Sequence, residues 1–467
     1  MRVAGRKLRW LPLLLATLAS GCRSGPKCPD PEFTRLSHAI CQSWNGSQET
    51  AEIDFSDYNG PHSVNDYIRL ALQQNPAIQA ARRRVDASAY RVPVAASLPD
   101  PTLNVTVQPE PVQTAAGQQE LMISANQKLR WFGKLDTSAS IAESQTNVAR
   151  ANLASVELNT IAKVKRAYYE LYFVQKAIGV TEADRRLLTQ IRSVARARYQ
   201  GGDTSQQDLL RADLEIANVE SELTRLRQSL RSGQARLATL LHIAPQTQLL
   251  AEESLALADA PNDLLHLQEL AIALRPELHA QFAAIQRERQ SVELAKLDYK
   301  PDVTLGFSWI DVASAGISPV ANGRDAFLLT AGVNLPIYEK RLDASVRSAR
   351  AKAVATAREY DALRDATLEE VTELFSQAQS QQQLISLLSE DILPKLQQTL
   401  ELSRHGYNVG EVDFFQLIDD WRKLLRNQIN LHRLEASFAQ SLAELERVIG
   451  GSDITDAKIT DQNDGSN

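Results

Sequence analysis

The sequence is poor in several things at once. It has two methionines, three cysteines and 6% aromatic residues in 467, and past its first twenty residues it has no run of eighteen apolar residues. So lean a composition does not suit one large globular core. It suits long helices that bury a narrow apolar seam and keep most of their circumference wet. With no apolar run of spanning length there is no membrane-crossing helix, so any spanning part must be β-strands in a closed barrel. The seven histidines are scattered, with no i, i+4 pair on a helical stretch. Walker A, His-Glu-x-x-His, Gly-x-Ser-x-Gly and Cys-x-x-Cys patterns are all missing, so no enzyme, cofactor or metal centre is expected. The net charge of −6 gives no reason to expect a nucleic-acid partner.

What is present begins with an export signal over residues 1–21. Arg2, Arg6, Lys7 and Arg9 form a basic region, Leu11 to Leu18 an apolar one, and Ala19, Ser20 and Gly21 lead into Cys22. Small residues ending in Cys resemble a bacterial lipobox, which makes Cys22 the candidate acylated N-terminus, although Ala19 stands where that pattern prefers Leu. Arg23 stands where an inner-membrane retention signal often has Asp, and this favours the outer membrane. Cys28 and Cys41 in the following segment, 22–62, could form a disulfide in an oxidising compartment. His38 lies between them, but three such residues at this spacing do not make a structural zinc site.

The rest of the chain contains an internal duplication. Leu70 to Ala80, with Asn75-Pro76 at its centre, matches Leu270 to Ala280, with Arg275-Pro276. Pro99-Asp100-Pro101-Thr102-Leu103 matches Pro301-Asp302-Val303-Thr304-Leu305, Arg130 to Asp136 lines up loosely with Pro336 to Asp343, and Tyr199-Gln200-Gly201-Gly202 with Tyr407-Asn408-Val409-Gly410. Four landmarks recur in one order. The predicted plan is repeat 1 over 63–245, a linker over 246–262, repeat 2 over 263–450 and a polar tail over 451–467. Each repeat is expected to hold a helix (about Val64 to Ser97, and Asp263 to Tyr299), a β-hairpin (about 102–130 and 302–337) and a long helical hairpin. Period-two alternation gives the strands, with Leu103, Val105 and Val107 facing one way and Thr102, Asn104 and Thr106 the other. Strands of roughly 7 to 11 residues are near the length a tilted strand needs to cross a bilayer.

From Lys134 to Tyr199 there is no proline, and the return helix is expected over Ser205 to His242. The last helix carries a sustained a/d seam, including Phe414, Leu417, Trp421, Leu424, Leu431, Phe438, Leu442, Leu445 and Ile449. Two hairpins cannot close a barrel, since about eight strands are the practical minimum, so the chain must oligomerise.

Duplicated long-helix units with one hairpin each, behind an export signal, resemble the TolC-like outer-membrane efflux family. The carrying stretches are Ala71 to Ala81, Val164 to Leu171, Arg198 to Leu210 and Tyr407 to Gly410, and the resemblance spans about Val64 to Gly450. It implies a mainly α fold with a small β part, assembled as a homotrimer with an α-helical tunnel topped by a twelve-stranded barrel in outer-membrane lipid. It also implies a periplasmic adaptor protein and an inner-membrane pump of RND or ABC type as partners. The Gly-containing turns at 199–204 and 407–412 would be the periplasmic tips, with Tyr199, Gly202, Tyr407 and Gly410 marking them. Tyr407 matches a tip tyrosine and Asp208 its acidic partner. Asp419 matches one of two aspartates that ring the aperture, Gln416 stands where the other would be, and Val412 stands where a gating arginine is found. Trp131-Phe132-Gly133-Lys134 resembles the heavy-metal branch of the family. The expected function is a passive exit duct. The alternatives are the outer-membrane component of type I protein secretion, or a structural periplasmic coiled-coil or adaptor lipoprotein.

Overall fold

A computed structural model describes residues 59–255 and 257–451. The expected signal, Cys22, Cys28, Cys41 and nearly all of the C-terminal tail lie outside the described residues.

The chain runs β1 (Gly60–His62), α1 (Val64–Gln74), α2 (Pro76–Ala89) and α3 (Arg91–Ala96) into strands β2 (Thr102–Thr114) and β3 (Gly117–Leu129). Helix α4 (Lys134–Gly201) and its return α5 (Gln206–Leu241) follow, then β4 (Leu249–Ala251). The same kind of succession continues with α6 (Leu264–Leu274), α7 (Pro276–Leu297), β5 (Val303–Ala313) and β6 (Ala326–Val333). Helix α8 (Glu339–Ser386) runs through a π-helical segment, Leu387–Ile392, into α9 (Leu393–Val409), and α10 (Phe414–Val448) ends the described fold.

Two single helices expected from periodicity are broken. Asn75 has ψ 121° and Arg275 ψ 119°, both extended. The ring of the next residue, Pro76 or Pro276, disfavours the helical conformation of its predecessor. Each proline then starts a new helix, where its missing N–H costs nothing. The Asn75 side chain also caps the start of α2, accepting from the Ala77 amide at 2.9 Å, and donates to the Leu240 carbonyl at the end of α5 at 2.9 Å.

Helix α4 has 68 residues, which at 1.5 Å per residue is roughly 100 Å. It holds the fold together, packing on α1, α2, α5, α7 and α10. Tyr67, Leu70 and Ala71 of α1, Val164, Tyr168 and Leu171 of α4 and Leu237 and Leu241 of α5 form one buried cluster, with Leu249 and Ala251 of β4. Burying each large side chain contributes about 1.5–3 kcal/mol. Toward the far end, Leu188, Ile191 and Ala195 of α4 meet Leu417, Ile418, Trp421 and Leu424 of α10, and Leu400 and Tyr407 of α9. The a/d seam of α10 is therefore where its helix meets its neighbours.

The two hairpins form one open antiparallel sheet in the order β2-β3-β5-β6. Its strands have 13, 13, 11 and 8 residues, so two exceed the expected span, and β6 ends at Val333 rather than Ile337. Cross-strand register gives the faces opposite characters. Leu103, Ala125, Phe307 and Leu329 align in one row, and Val105, Ile123, Trp309 and Phe327 in the next row on that face. On the other face Thr102, Asn126, Gly306 and Thr330 align, as do Asn104, Ser124 and Ser308, whose row ends in Leu328. The apolar rows are uncovered, with Leu329 88% and Phe327 69% exposed.

Candidate functional site

The longest helices converge on two turns, each made possible by a glycine in the left-handed region. Gly202 (φ 84°) closes α4, its amide donating to the Tyr199 carbonyl at 3.1 Å and that of Asp203 to the Arg198 carbonyl at 2.9 Å, the latter the 6→1 closure of a helix C-terminus. Gly410 (φ 89°) closes α9 in the same way, with Glu411 N–H donating to the Gly406 carbonyl at 2.8 Å. Beyond the turns α5 and α10 begin, the latter capped by Asp413, which accepts from the Gln416 amide at 2.7 Å.

The expected residues do not all behave alike. Tyr407 is buried at 2% exposure, its ring edge-on to Phe414 at 5.6 Å, whereas Tyr199, its counterpart in sequence, is 42% exposed. Asp208, in the first turn of α5, accepts from the Thr204 hydroxyl. Burial, and next the Asp208 carboxylate, push the Tyr407 phenol above its ordinary value, with Arg198 and Thr204 working the other way. The buried Tyr407 hydroxyl lacks a hydrogen bond of full geometry, so Thr204 and Asp208 are polar neighbours rather than firm partners.

Asp419 is on the surface of α10 and pairs with Lys423 at 2.6 Å. Gln416 is not an idle replacement for a carboxylate. Its amide donates to both oxygens of Asp420, at 2.9 and 3.0 Å, and Asp420 also accepts from the Ser403 hydroxyl at 2.6 Å. Asp420 is thus buried at the contact of α9 with α10, a role that the seam pattern did not reveal. Val412, where the resemblance placed an arginine, packs against Gly406, at which an added Cβ would come within 2.6 Å of a Val412 methyl.

Sequence reasoning also missed Arg198, Asp184 and Glu215. Arg198 places its guanidinium 4.8 Å from the centre of the Tyr407 ring and donates to the Tyr407 carbonyl. Asp184 of α4 accepts from the indole of Trp421, and Glu215 of α5 accepts from Arg422. No residue of these is marked in sequence except by being charged near a seam.

The Trp131–Lys134 stretch has a structural explanation. Gly133 (φ 83°) turns the chain into α4, and the buried Lys134 amine reaches Asp302 at 2.9 Å and the Lys300 carbonyl at 3.0 Å. Asp302 also accepts from the Trp131 amide at 3.0 Å, so one carboxylate ties the roots of both hairpins to α4. Among the described residues, no three His, Cys, Asp or Glu side chains group as metal ligands would, and none of the described helices is long and apolar enough to cross a membrane.

Long paired helices that meet at glycine turns, and an open sheet with one exposed apolar face, are the architecture these residues build. The chain belongs to the outer membrane efflux protein family, whose model matches residues 67–241 and 267–451. It is 23% identical to the cobalt-zinc-cadmium resistance protein CzcC of Cupriavidus metallidurans over 90% of this chain and 97% of that one. It is 22% identical to the pyoverdine export outer membrane protein OpmQ of Pseudomonas putida over 96% and 97%. Among solved structures, the outer-membrane channel OprN matches with a TM-score of 0.72 at 20% identity, over 83% of this chain and 90% of that one. CusC matches with a TM-score of 0.72 at 18% identity, over 85% and 94%.

Proposed function

We propose that the chain is one of three identical subunits of an outer-membrane exit duct, passive in itself, that receives cargo from a periplasmic adaptor and an inner-membrane pump. The observation that carries this is the open sheet. Strands β2 and β6 each have an edge that pairs with no strand among the described residues, and lipid does not tolerate such edges. A heterologous ring joining β2 of one copy to β6 of the next removes every edge, and three copies of four strands give a barrel of twelve. The apolar rows then face lipid, and the Thr, Asn and Ser rows face a wet lumen.

The helical part supports the same ring. Leu210 and Leu214 of α5 are each 59% exposed, and Leu402 of α9 is 67% exposed. Helix α5 packs on α4, and α9 on α10, so these residues lie on the two outer members of the tip and are available to neighbouring copies. On this reading 63–245 and 263–450 are two copies of one unit, a division supported by the internal sequence repeat and by a family match that falls in two segments, 67–241 and 267–451. Tyr199, Gly202, Asp208, Tyr407, Gly410, Gln416 and Asp419 mark the periplasmic end, and Cys22 carries the lipid anchor.

Fractionation of cells producing the full chain tests the proposal. The expected result is outer-membrane protein that runs as a heat-sensitive trimer; a soluble monomer would overturn it. The names of the relatives cover cobalt-zinc-cadmium resistance and pyoverdine export. Lys134 is used up at the hairpin junction, so the Trp131–Lys134 stretch says nothing of cargo, which we assign to the pump's choice.

A further inference from the structure

We infer that the outer half of each seam between copies is fastened by side chains, Arg324 of one copy pairing with Glu110 of the next, where backbone pairing gives out. This rests on the ring of three copies proposed above and names residues that hold it shut.

Strand β2 supplies one edge of the seam, and its half away from the helices is a poor partner for any strand. Its pairing with β3 is regular from Thr102 to Val107 and resumes only at Val112. Between them lie Gln108-Pro109-Glu110-Pro111, which have no partner on β3. Pro109 and Pro111 carry no N–H, so the stretch offers few ladder donors to a neighbouring strand either. Glu110, set between the two rings, is exposed and forms no ion pair among the described residues.

The other edge, β6, brings a cation to the same height. Ala326 stands seven residues above Val333 at the root of β6, and Pro109 seven above Thr102 at the root of β2. Two residues further out, Arg324 is level with Pro111, beside Glu110. The length of an arginine side chain covers the small offset that strand tilt adds from one strand to the next. The chain around Arg324 is held in place. Gly323 donates to the Ala116 carbonyl at 2.9 Å, and Arg324 to the Ala321 carbonyl at 3.2 Å. The adjacent Asp325 carboxylate is spent elsewhere, accepting from the Trp309 indole at 3.2 Å and the Val312 amide at 3.3 Å. Arg324 is exposed and, like Glu110, has no ion-pair partner among the described residues. One edge therefore ends in an unpaired cation and the other in an unpaired anion. A single exposed pair contributes little. Reversing one of the charges, however, sets two like charges against each other at all three seams.

The test is the temperature at which the trimer comes apart on gels, read from outer membranes of cells producing the full chain. Wild type is compared with E110R, R324E, the double reversal E110R/R324E, and E120R, which alters an exposed glutamate on β3, away from the edge. E110R and R324E are each expected to lower that temperature by several degrees. The double reversal should recover most of the loss, and E120R should match wild type. If a single reversal yields no trimer, its return in the double variant supports the pair and its absence overturns it. Single reversals as stable as wild type, a double no better than the singles, or an equal loss from E120R would overturn the pair and leave the duct standing. Wild-type protein running only as monomer would overturn the duct reading and the pair with it.

Discussion

The indole Nε1 of Trp421 donates to Oδ1 of Asp184 across 3.2 Å, joining α10 to α4 through a carboxylate whose other oxygen, Oδ2, is buried without a partner. Burial pushes this carboxyl up to about 6, and the Trp421 hydrogen bond offsets only part of that. The folded state therefore binds a proton more tightly than the unfolded chain does. The stabilisation is complete below about pH 4 and is lost as pH rises through about 6. Melting temperature is expected to fall between pH 4 and 7, and D184N should flatten that step and stabilise the protein at pH 7 by about 2 kcal/mol. A D184N protein with an unchanged pH profile would exclude this role.

Lys134 and Asp302 form an ion pair with both side chains largely buried, and the loss of each partner should cost differently. Asp302 serves Lys134, Lys128 and the Trp131 amide. D302A leaves the buried Lys134 ammonium with the Lys300 carbonyl and the more distant, exposed Asp298 carboxylate and orphans the Trp131 amide, a loss of about 3 kcal/mol. K134M leaves Asp302 with Lys128 and the Trp131 amide and should cost clearly less. Thermal unfolding of the two variants gives the order, and equal losses would contradict the geometry.

The two faces of the sheet predict opposite tolerance to charge. L329R puts a guanidinium on the apolar face, at a cost of about 2–4 kcal/mol if the site lies near mid-bilayer. S308R puts the same group on the polar face, where water can solvate it. Outer-membrane yield should drop for L329R and hold for S308R. The reverse order would mean that the faces are assigned backwards.

How much of this could be read from sequence depends on how each feature is encoded. Helix α4 was legible from a long stretch without proline, α5 and α10 from apolar spacing that persists over many turns, and the turns after α4 and α9 from Gly202 and Gly410, which supply left-handed geometry. The hairpins were legible from alternation such as Leu103, Val105 and Val107. The breaks at Asn75 and Arg275 carried a signal in the following prolines, which helical periodicity on both sides obscured. Strands β1 and β4 have three residues each, too few for any period, and pair only because α1 and α4 bring them together through Tyr67, which donates to the Leu250 carbonyl. Arg198, Asp184 and Asp420 were invisible for another reason. A charged residue near a seam reads as a solvated face, and only the packing of a third helix shows that it is buried or spent on a distant backbone.

Whether three chains close one sheet can be read from cysteine cross-linking between the edge strands. Single cysteines placed along β2 and along β6, in a chain whose Cys28 and Cys41 are replaced by serine, would be oxidised in the outer membrane and resolved under denaturing conditions. A β2 and β6 pair in register should yield a covalent product that stops at three chains. Monomer at every pairing, or an open ladder passing beyond three, would contradict a closed trimeric barrel.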